Sequence, residues 1–289
     1  MNICIFREKQ ELQNMPELPE VETVKRTLEK KLVGLAFEGI HLHMPKIVRL
    51  PQAQEFVSSL TGRKILRLGR RGKYLMLHLS GNYTLVIHLR MTGRLVYANP
   101  DTPMEKHTHV VFLLSNGDQL RYTDIRQFGR MLLAPTPELD TLPGLRDLGV
   151  EPLGEHFTRE FMKKELKRRR TRLKALLLDQ SFIAGLGNIY VDESLHRAGL
   201  HPERLAMDLT PRETTRLFQA IKEVLTDAVN NRGTSFRDYV DGEGRPGNNK
   251  ERLQVYSREG LPCHKCGKPI HRIRVAGRSS FFCPQCQKV

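Results

Sequence analysis

Residues 15–20, Met15-Pro16-Glu17-Leu18-Pro19-Glu20, set two prolines and two glutamates directly ahead of a helical apolar pattern. Pro19 fits the first turn of a helix, where its missing N–H leaves nothing unpaired. Val21, Val24, Leu28 and Leu32 then recur at helical spacing until Gly34. The same stretch has a second, chemical reading. If translation starts at Met15 and that methionine is removed, Pro16 carries a free secondary amine. Backbone amines titrate near about 7.7–8.0, against ~10.4 for lysine, so a terminal amine is substantially unprotonated at neutral pH. Attack by such an amine on an aldehyde carbon gives a cationic iminium, an electron sink that drives elimination. Glu17 stands beside it as a candidate proton carrier. Both readings hold together, because a helix start is a good place to pin a terminus. The expectation is that the fourteen residues before Met15 reflect a misplaced start codon; with them attached, Pro16 is an ordinary amide.

The run MPELPEVETV (15–24) resembles the amino terminus of bacterial formamidopyrimidine-DNA glycosylases, repair enzymes that remove oxidised purines and nick the strand. Further matches extend from Met15 nearly to the end, and residues 1–14 lie outside the resemblance.

Composition agrees with a polyanionic partner. Lys plus Arg outnumber Asp plus Glu 47 to 32 in 289 residues, a formal +15 with a pI near 9.8. Nucleic acid is the simplest such partner and a membrane surface the weaker one. No apolar run approaches the about 18 residues of a membrane span, and the extension has too short an apolar core for a secretory signal. A reducing, intracellular setting is expected, and the resemblance implies a bacterial cytoplasm with nucleoid association through DNA binding. Tryptophan is absent, so base stacking or wedging falls to Phe, Tyr, Met or Arg.

After the first helix the pattern shortens to strands over 64–68, 74–79, 83–89, 110–114 and 119–122. Ser115-Asn116-Gly117-Asp118 sits between the last two as a hairpin loop. Three loops carry candidate chemistry. On composition alone Arg70-Arg71-Gly72-Lys73 is equally a solvated basic turn or a functional loop; the resemblance makes Lys73 a proton donor during β-elimination. Met91, before a glycine turn, is by itself most simply a core residue. Arg126 and Phe128 fall two apart, on one side of an extended loop. Together Met91, Arg126 and Phe128 match the family's void-filling trio, which occupies the hole left by an extruded nucleotide. His107 alone is a surface histidine; the resemblance makes it a DNA contact.

From Thr158 the pattern is helical and basic, with eight cations between Lys163 and Lys174 and Glu165 as the acidic residue among them. Such a run exceeds what solubility requires and points to phosphate contact; Arg169 matches a DNA-binding residue of the family. Helices are expected over 173–180 and from Asn188 to Gly199, with Asn188 as a cap and the exposed N–H groups of the helix start facing a phosphate. The block LLDQSFIAGLGNIYVDE (177–193) resembles the family's helix-two-turns-helix. Thr210-Pro211-Arg212-Glu213 reads as a capping box opening another helix. Residues 241–249 form a mobile polar loop by composition. The family's matching segment closes over the extruded base, but Asn248-Asn249-Lys250 stands where relatives often carry an aromatic.

Cys263-x-x-Cys266 and Cys283-x-x-Cys286, sixteen residues apart, have the spacing of a four-thiolate zinc site. Disulfides or free thiols are the other readings. Four cysteines leave no open coordination position, so one structural Zn2+ is expected. Between the pairs two strands flank Ala276-Gly277-Arg278. The resemblance assigns Arg278 to the second, δ-elimination.

The chain therefore reads as α+β. Its expected parts are an N-terminal extension (1–14), a catalytic antiparallel β-sandwich or barrel with an N-terminal helix (15–150) and a helix-two-turns-helix domain (151–232). A mobile base-recognition loop and linker (233–257) and a zinc-finger β-hairpin (258–289) follow. The resemblance implies a monomeric, bifunctional DNA glycosylase and abasic-site lyase. It would act on double-stranded DNA carrying an oxidised purine or an abasic site, with Pro16, Glu17, Lys73 and Arg278 catalytic and Glu20 supporting. Two alternatives stand. One is a related glycosylase for oxidised pyrimidines, in which glycine typically follows Pro-Glu where this chain has Leu18. The other is a non-catalytic DNA-binding zinc protein, should Met1–Met15 remain attached.

Overall fold

The computed structural model describes residues 15–288; the expectations for the extension, Cys4 included, lie outside the described residues. The chain forms two compact units, one comprising residues 15–146 and 231–248, the other residues 147–230 and 249 onward.

The first unit opens with helix α1 (Leu18–Leu32), whose Val21, Val24, Leu28 and Leu32 are fully buried as their spacing predicts. Gly34, at φ +94°, ends it. Then follow β1 (Phe37–Leu42), β2 (Val48–Leu50), α2 (Ala53–Leu60), β3 (Ile65–Arg71), β4 (Tyr74–Leu79), β5 (Tyr83–His88), β6 (Gly93–Ala98), β7 (Thr108–Leu114), β8 (Gln119–Asp124) and β9 (Arg130–Pro135). They form two open sheets of order β1-β7-β8-β6 and β2-β9-β5-β4-β3, with all pairs antiparallel except β2–β9. Of the two architectures expected, the sandwich is the one formed. Alternation along the strands aims Leu75, Leu77, Leu85 and Ile87 of one sheet, and Val110, Phe112, Leu120 and Tyr122 of the other, into one core with α1.

Residues 231–248 return to this unit after the helices of the other. Their polar composition predicts a mobile loop, but Asp241 is fully buried and organises a turn. It accepts the N–H groups of Glu243 (2.9 Å) and Arg245 (3.0 Å) and pairs with Arg232. Gly242 N–H donates to Thr27 Oγ1 of α1 at 3.0 Å, and its carbonyl accepts the Tyr97 N–H at 2.9 Å. A Cβ on Gly242 would lie 2.4 Å from Leu28 Cγ, so only glycine allows this approach.

The second unit contains α3 (Arg159–Lys167), α4 (Leu173–Leu178), α5 (Asn188–Ala198), α6 (Pro211–Asn230) and the hairpin β10 (His271–Val275) and β11 (Arg278–Phe282). Thr158 caps α3 through its hydroxyl, which accepts the Phe161 N–H at 3.0 Å. The expected capping box also forms at α6, where Thr210 N–H donates to Glu213 at 2.9 Å and Glu213 N–H returns to Thr210 Oγ1 at 3.3 Å. Gly199, at φ +68°, closes α5.

Candidate active site and nucleic-acid interface

Pro16 and Glu17 are buried just ahead of α1, with Glu17 at the helix N-cap. Glu20, one turn in, holds this start in place. One carboxylate oxygen accepts the Glu17 N–H at 2.9 Å and the other accepts the Thr234 N–H at 2.7 Å. Tyr239 adds hydrogen bonds from its hydroxyl to the carbonyls of Glu20 (3.3 Å) and Arg232 (3.1 Å). Burial, then the nearby Glu20 charge, pushes the Tyr239 phenol far up, so it stays a donor.

Lys73 is buried in the two-residue turn between β3 and β4, where Gly72 adopts φ +54°. Arg70, which a solvated basic turn would leave loose, instead donates to Glu22 of α1 at 3.1 Å and to the Gly72 carbonyl at 3.0 Å. Glu22 also takes Arg26 at 2.8 Å, so the Lys73 turn is fastened to the helix that carries Glu17. His88 faces the same corner. Burial first, then Arg90, Lys73 and Arg130, depresses its pKa to about 3, which keeps the imidazole neutral.

A second constellation gathers around Asp124, whose side chain is wholly buried at the end of β8. Arg126 and Phe128 project from the turn that follows. The Phe128 ring is 49 % exposed, and the Arg126 guanidinium lies 4.9 Å from its centroid. Met91 is half-buried in the β5–β6 loop beside Arg90, which takes φ +56°. His107 is half-buried, and its carbonyl accepts the Asp124 N–H at 3.0 Å.

In the second unit Arg169 is held by Glu165 (3.2 Å) and lies over the Phe182 ring, 5.2 Å from its centroid. Asn188 is not a helix cap: Gly187 holds that position and Asn188 is the first residue of α5. Its Nδ2 reaches the Ser279 carbonyl at 3.1 Å, one residue from Arg278, while its buried Oδ1 has no partner. Arg278 is exposed at the start of β11, paired with Val275 across a two-residue turn of Ala276 (φ +51°) and Gly277 (φ +74°).

One member of the basic run does not face solvent. Lys174 is 0 % exposed and donates to Asp192 at 2.6 Å, so phosphate contact is excluded for it. Sequence reasoning also passed over Asp192 and Glu193. Asp192 accepts from Ser280 Oγ and Phe281 N–H, both at 2.9 Å, and Glu193 from the backbone N–H groups of Gln254, Val255 and Tyr256. Two adjacent acids set among Ile189, Tyr190, Val191 and Leu195 in an expected helix were the available signal. A cavity of about 460 Å3 lined by Tyr190, Glu193, His196, Val224, Leu253 and Lys265 contains none of the candidate site residues.

The four cysteine sulfurs all lie within 4.8 Å of one another. A tetrahedron with metal–sulfur distances of about 2.3 Å has edges of about 3.8 Å. The Cys263–Cys286 separation of 3.9 Å and the Cys266–Cys283 separation of 3.4 Å match that scale and are too long for disulfides. Burial, then the neighbouring thiols, pushes Cys286 up to about 12. At Cys263 burial is outweighed by the backbone N–H groups of Lys265 and Cys266, which bring the thiol down to about 7. A cation would let all four be thiolates together. His196 Nε2, 3.7 Å from Cys263 Sγ, orients that ligand. The donor set fits one structural zinc.

Profiles of the formamidopyrimidine-DNA glycosylase N-terminal domain, the H2TH domain of the same enzymes, and a zinc finger found in FPG and IleRS match residues 15–131, 148–240 and 260–289. The chain belongs to the formamidopyrimidine-DNA glycosylase family. The glycosylases of Desulforamulus reducens and Pelotomaculum thermopropionicum are each 60 % identical over 275 residues, 95 % of this chain and 99 % and 100 % of theirs. Among solved structures, a point variant of the Lactococcus lactis glycosylase with Fapy-dG DNA superposes with a TM-score of 0.89 at 39 % identity, covering 95 % of this chain and 100 % of that one. The Lactococcus lactis protein with abasic-site DNA gives the same score and identity over 94 % and 100 %. As in that family, a sandwich, a helix-two-turns-helix region and a zinc hairpin make up the glycosylase chain described here. Among the described residues no helix is long and apolar enough to cross a membrane.

Proposed function

We propose that the chain is a bifunctional glycosylase and abasic-site lyase of base excision repair, acting on 8-oxoguanine and formamidopyrimidines in duplex DNA. The observation that carries this reading is the Glu20 clamp on a buried Pro16-Glu17 helix start, in a family member. Pro16, once terminal, would direct its nitrogen lone pair at C1′ of the damaged nucleotide. The glycosidic bond breaks with its electron pair going to the base, which takes up a proton. The nitrogen sheds its proton and the C1′–O4′ ring bond opens, its electron pair going to O4′, which takes up a proton and leaves the iminium. The iminium acidifies C2′, and loss of a C2′ proton breaks the C3′–O bond in β-elimination. Loss of a C4′ proton then expels the second phosphate from C5′ by δ-elimination. Glu17 shuttles protons, Lys73 protonates during β-elimination, and Arg278 assists the δ-step. Arg169, Asn188 and His107 hold phosphates, and Met91, Arg126 and Phe128 fill the space the nucleotide vacates. Residues 241–250 border the extruded base. Zinc supplies folding of the hairpin and takes no part in the chemistry. The functional division remains 15–150, 151–232, 233–257 and 258–289, in a cytoplasmic monomer associated with the nucleoid.

The test joins intact mass to borohydride trapping. Protein made from its own translation signals and beginning at Pro16 should trap on 8-oxoguanine duplex, with the adduct on the amino-terminal peptide. Trapping on a lysine peptide would overturn the assignment to Pro16. A mass beginning at Met1 or Asn2 with no trapping would favour the DNA-binding zinc protein instead, because residues 1–14 precede Met15 in the sequence. Faster excision of thymine glycol than of 8-oxoguanine would refute the purine preference.

A further inference from the structure

Asp124 is the point at which three separate stretches of the first unit meet. Its Oδ1 accepts the Thr92 hydroxyl at 2.5 Å, and Thr92 Oγ1 in turn accepts the Arg126 N–H at 2.9 Å. Its Oδ2 accepts the Gly129 N–H at 2.8 Å and the Tyr122 hydroxyl at 3.1 Å. On the main chain, Asp124 N–H donates to the His107 carbonyl at 3.0 Å, and the Asp124 carbonyl accepts His109 Nε2 at 2.8 Å. One side chain thus spans both ends of the 125–129 turn and the loop holding Met91. The packing leaves no slack: a Cβ on Gly129 would stand 1.6 Å from the Tyr122 hydroxyl, and one on Gly93 would stand 2.5 Å from it. Burial and then Asp124 push the Tyr122 phenol far up, so Tyr122 donates at any working pH.

We propose that Asp124, through Thr92, is a positioning residue that sets Met91, Arg126 and Phe128 in mutual register for insertion into the damaged duplex. The proposal rests on the void-filling reading of that trio. Met91 lies one residue before Thr92, and Arg126 and Phe128 lie between the two backbone groups that the network holds, Arg126 N–H and Gly129 N–H. The side chains that leave the protein surface are therefore fixed at their roots by a group that never meets DNA. A loop carrying an exposed aromatic ring would otherwise sample many poses, and each would reduce the fraction competent to enter the stack.

The experiment compares Asp124→Asn, Thr92→Val, Thr92→Ser and Met91→Ala with the parent, all as full chains starting at Pro16. One readout is single-turnover excision of 8-oxoguanine from duplex DNA. Another is the fluorescence rise of a 2-aminopurine placed beside the lesion, and the third is incision of a preformed abasic site in single-stranded DNA. Asp124→Asn, which turns an acceptor into a donor against Thr92 or Gly129, should slow duplex excision about 10- to 100-fold and suppress the fluorescence rise. Thr92→Val should do the same and Thr92→Ser should restore both. Single-strand incision, which has no stack to refill, should stay within about twofold of the parent. Duplex excision unchanged in Asp124→Asn and Thr92→Val would overturn the proposal. So would a parallel fall of duplex excision and single-strand incision, which marks general unfolding. If Met91→Ala leaves the fluorescence rise intact, the void-filling reading itself fails; if Met91→Ala abolishes the rise and the Asp124 and Thr92 variants do not, only the positioning role fails.

Discussion

Glu20 accepts the backbone N–H of Thr234 at 2.7 Å, a hydrogen bond between residues 214 apart in sequence that fixes the start of α1. The second oxygen of the same carboxylate takes the Glu17 N–H. Glu20→Ala removes the carboxylate that accepts both buried N–H groups, at about 1–3 kcal/mol each. Urea unfolding should register that loss. Iminium formation, read by borohydride trapping at short times, should slow more than DNA affinity changes. Equal loss of affinity and trapping would argue against Glu20 as the support of the amine.

Lys73→Ala should slow strand cleavage and excision by about 10²-fold or more while duplex binding stays near that of the parent. Gel-shift affinity and single-turnover rates measured together check this. A fall in binding as large as the fall in rate would make Lys73 a phosphate contact.

Lys174 and Asp192 form a fully buried ion pair, which burial pushes toward the neutral acid and Lys174 pulls back. Lys174→Met should cost about 3–5 kcal/mol, because a buried carboxylate then loses its cation. The salt dependence of DNA binding should keep its slope. Lys167→Ala, at an exposed position of the same run, should do the opposite, flattening the slope by about 0.9 with little change in stability.

His88 gives stability a defined pH dependence. Its folded pKa of about 3 lies below the ordinary 6.5. Above pH 6.5 both states are neutral and the stability associated with His88 is fully present. As pH falls through 6.5 toward 3 the unfolded chain takes up a proton that the folded chain refuses, and stability is lost. At pH 5 the loss is about 2 kcal/mol. Urea unfolding of the parent and His88→Gln at pH 7.5 and pH 5 should show their difference shrinking by that amount. A constant difference would mean that His88 is protonated equally in both states.

Removing zinc with a chelator should unfold the hairpin, since structural zinc sites bind with about 10–16 kcal/mol that only the folded ligand set can realise. Circular dichroism and DNA affinity should fall together and recover on adding zinc back. Unchanged affinity in the stripped protein would separate the hairpin from DNA binding.

Whatever is settled within a turn or two of chain was legible in the sequence. The apolar stripe of α1, the Thr210–Glu213 capping box, the left-handed Gly199 stop and the spacing of the four cysteines all formed as written. Each is governed by helical period, a cap or a ligand span, and the deciding atoms sit a few residues apart. The family resemblance extended that reading to the candidate site, but not to what supports it. Lys174 looks like its basic neighbours until a partner eighteen residues on turns it inward. Asp124 and Asp241 look like solvated loop acids, yet both are wholly buried. Asn188 has cap chemistry, but the chain turns one residue earlier. Whether a charge is buried depends on donors that only the folded chain brings within hydrogen-bond reach, because desolvation without them costs more than the fold can bear. The tertiary structure alone therefore decided which polar residues hold the loops and which are left to meet DNA.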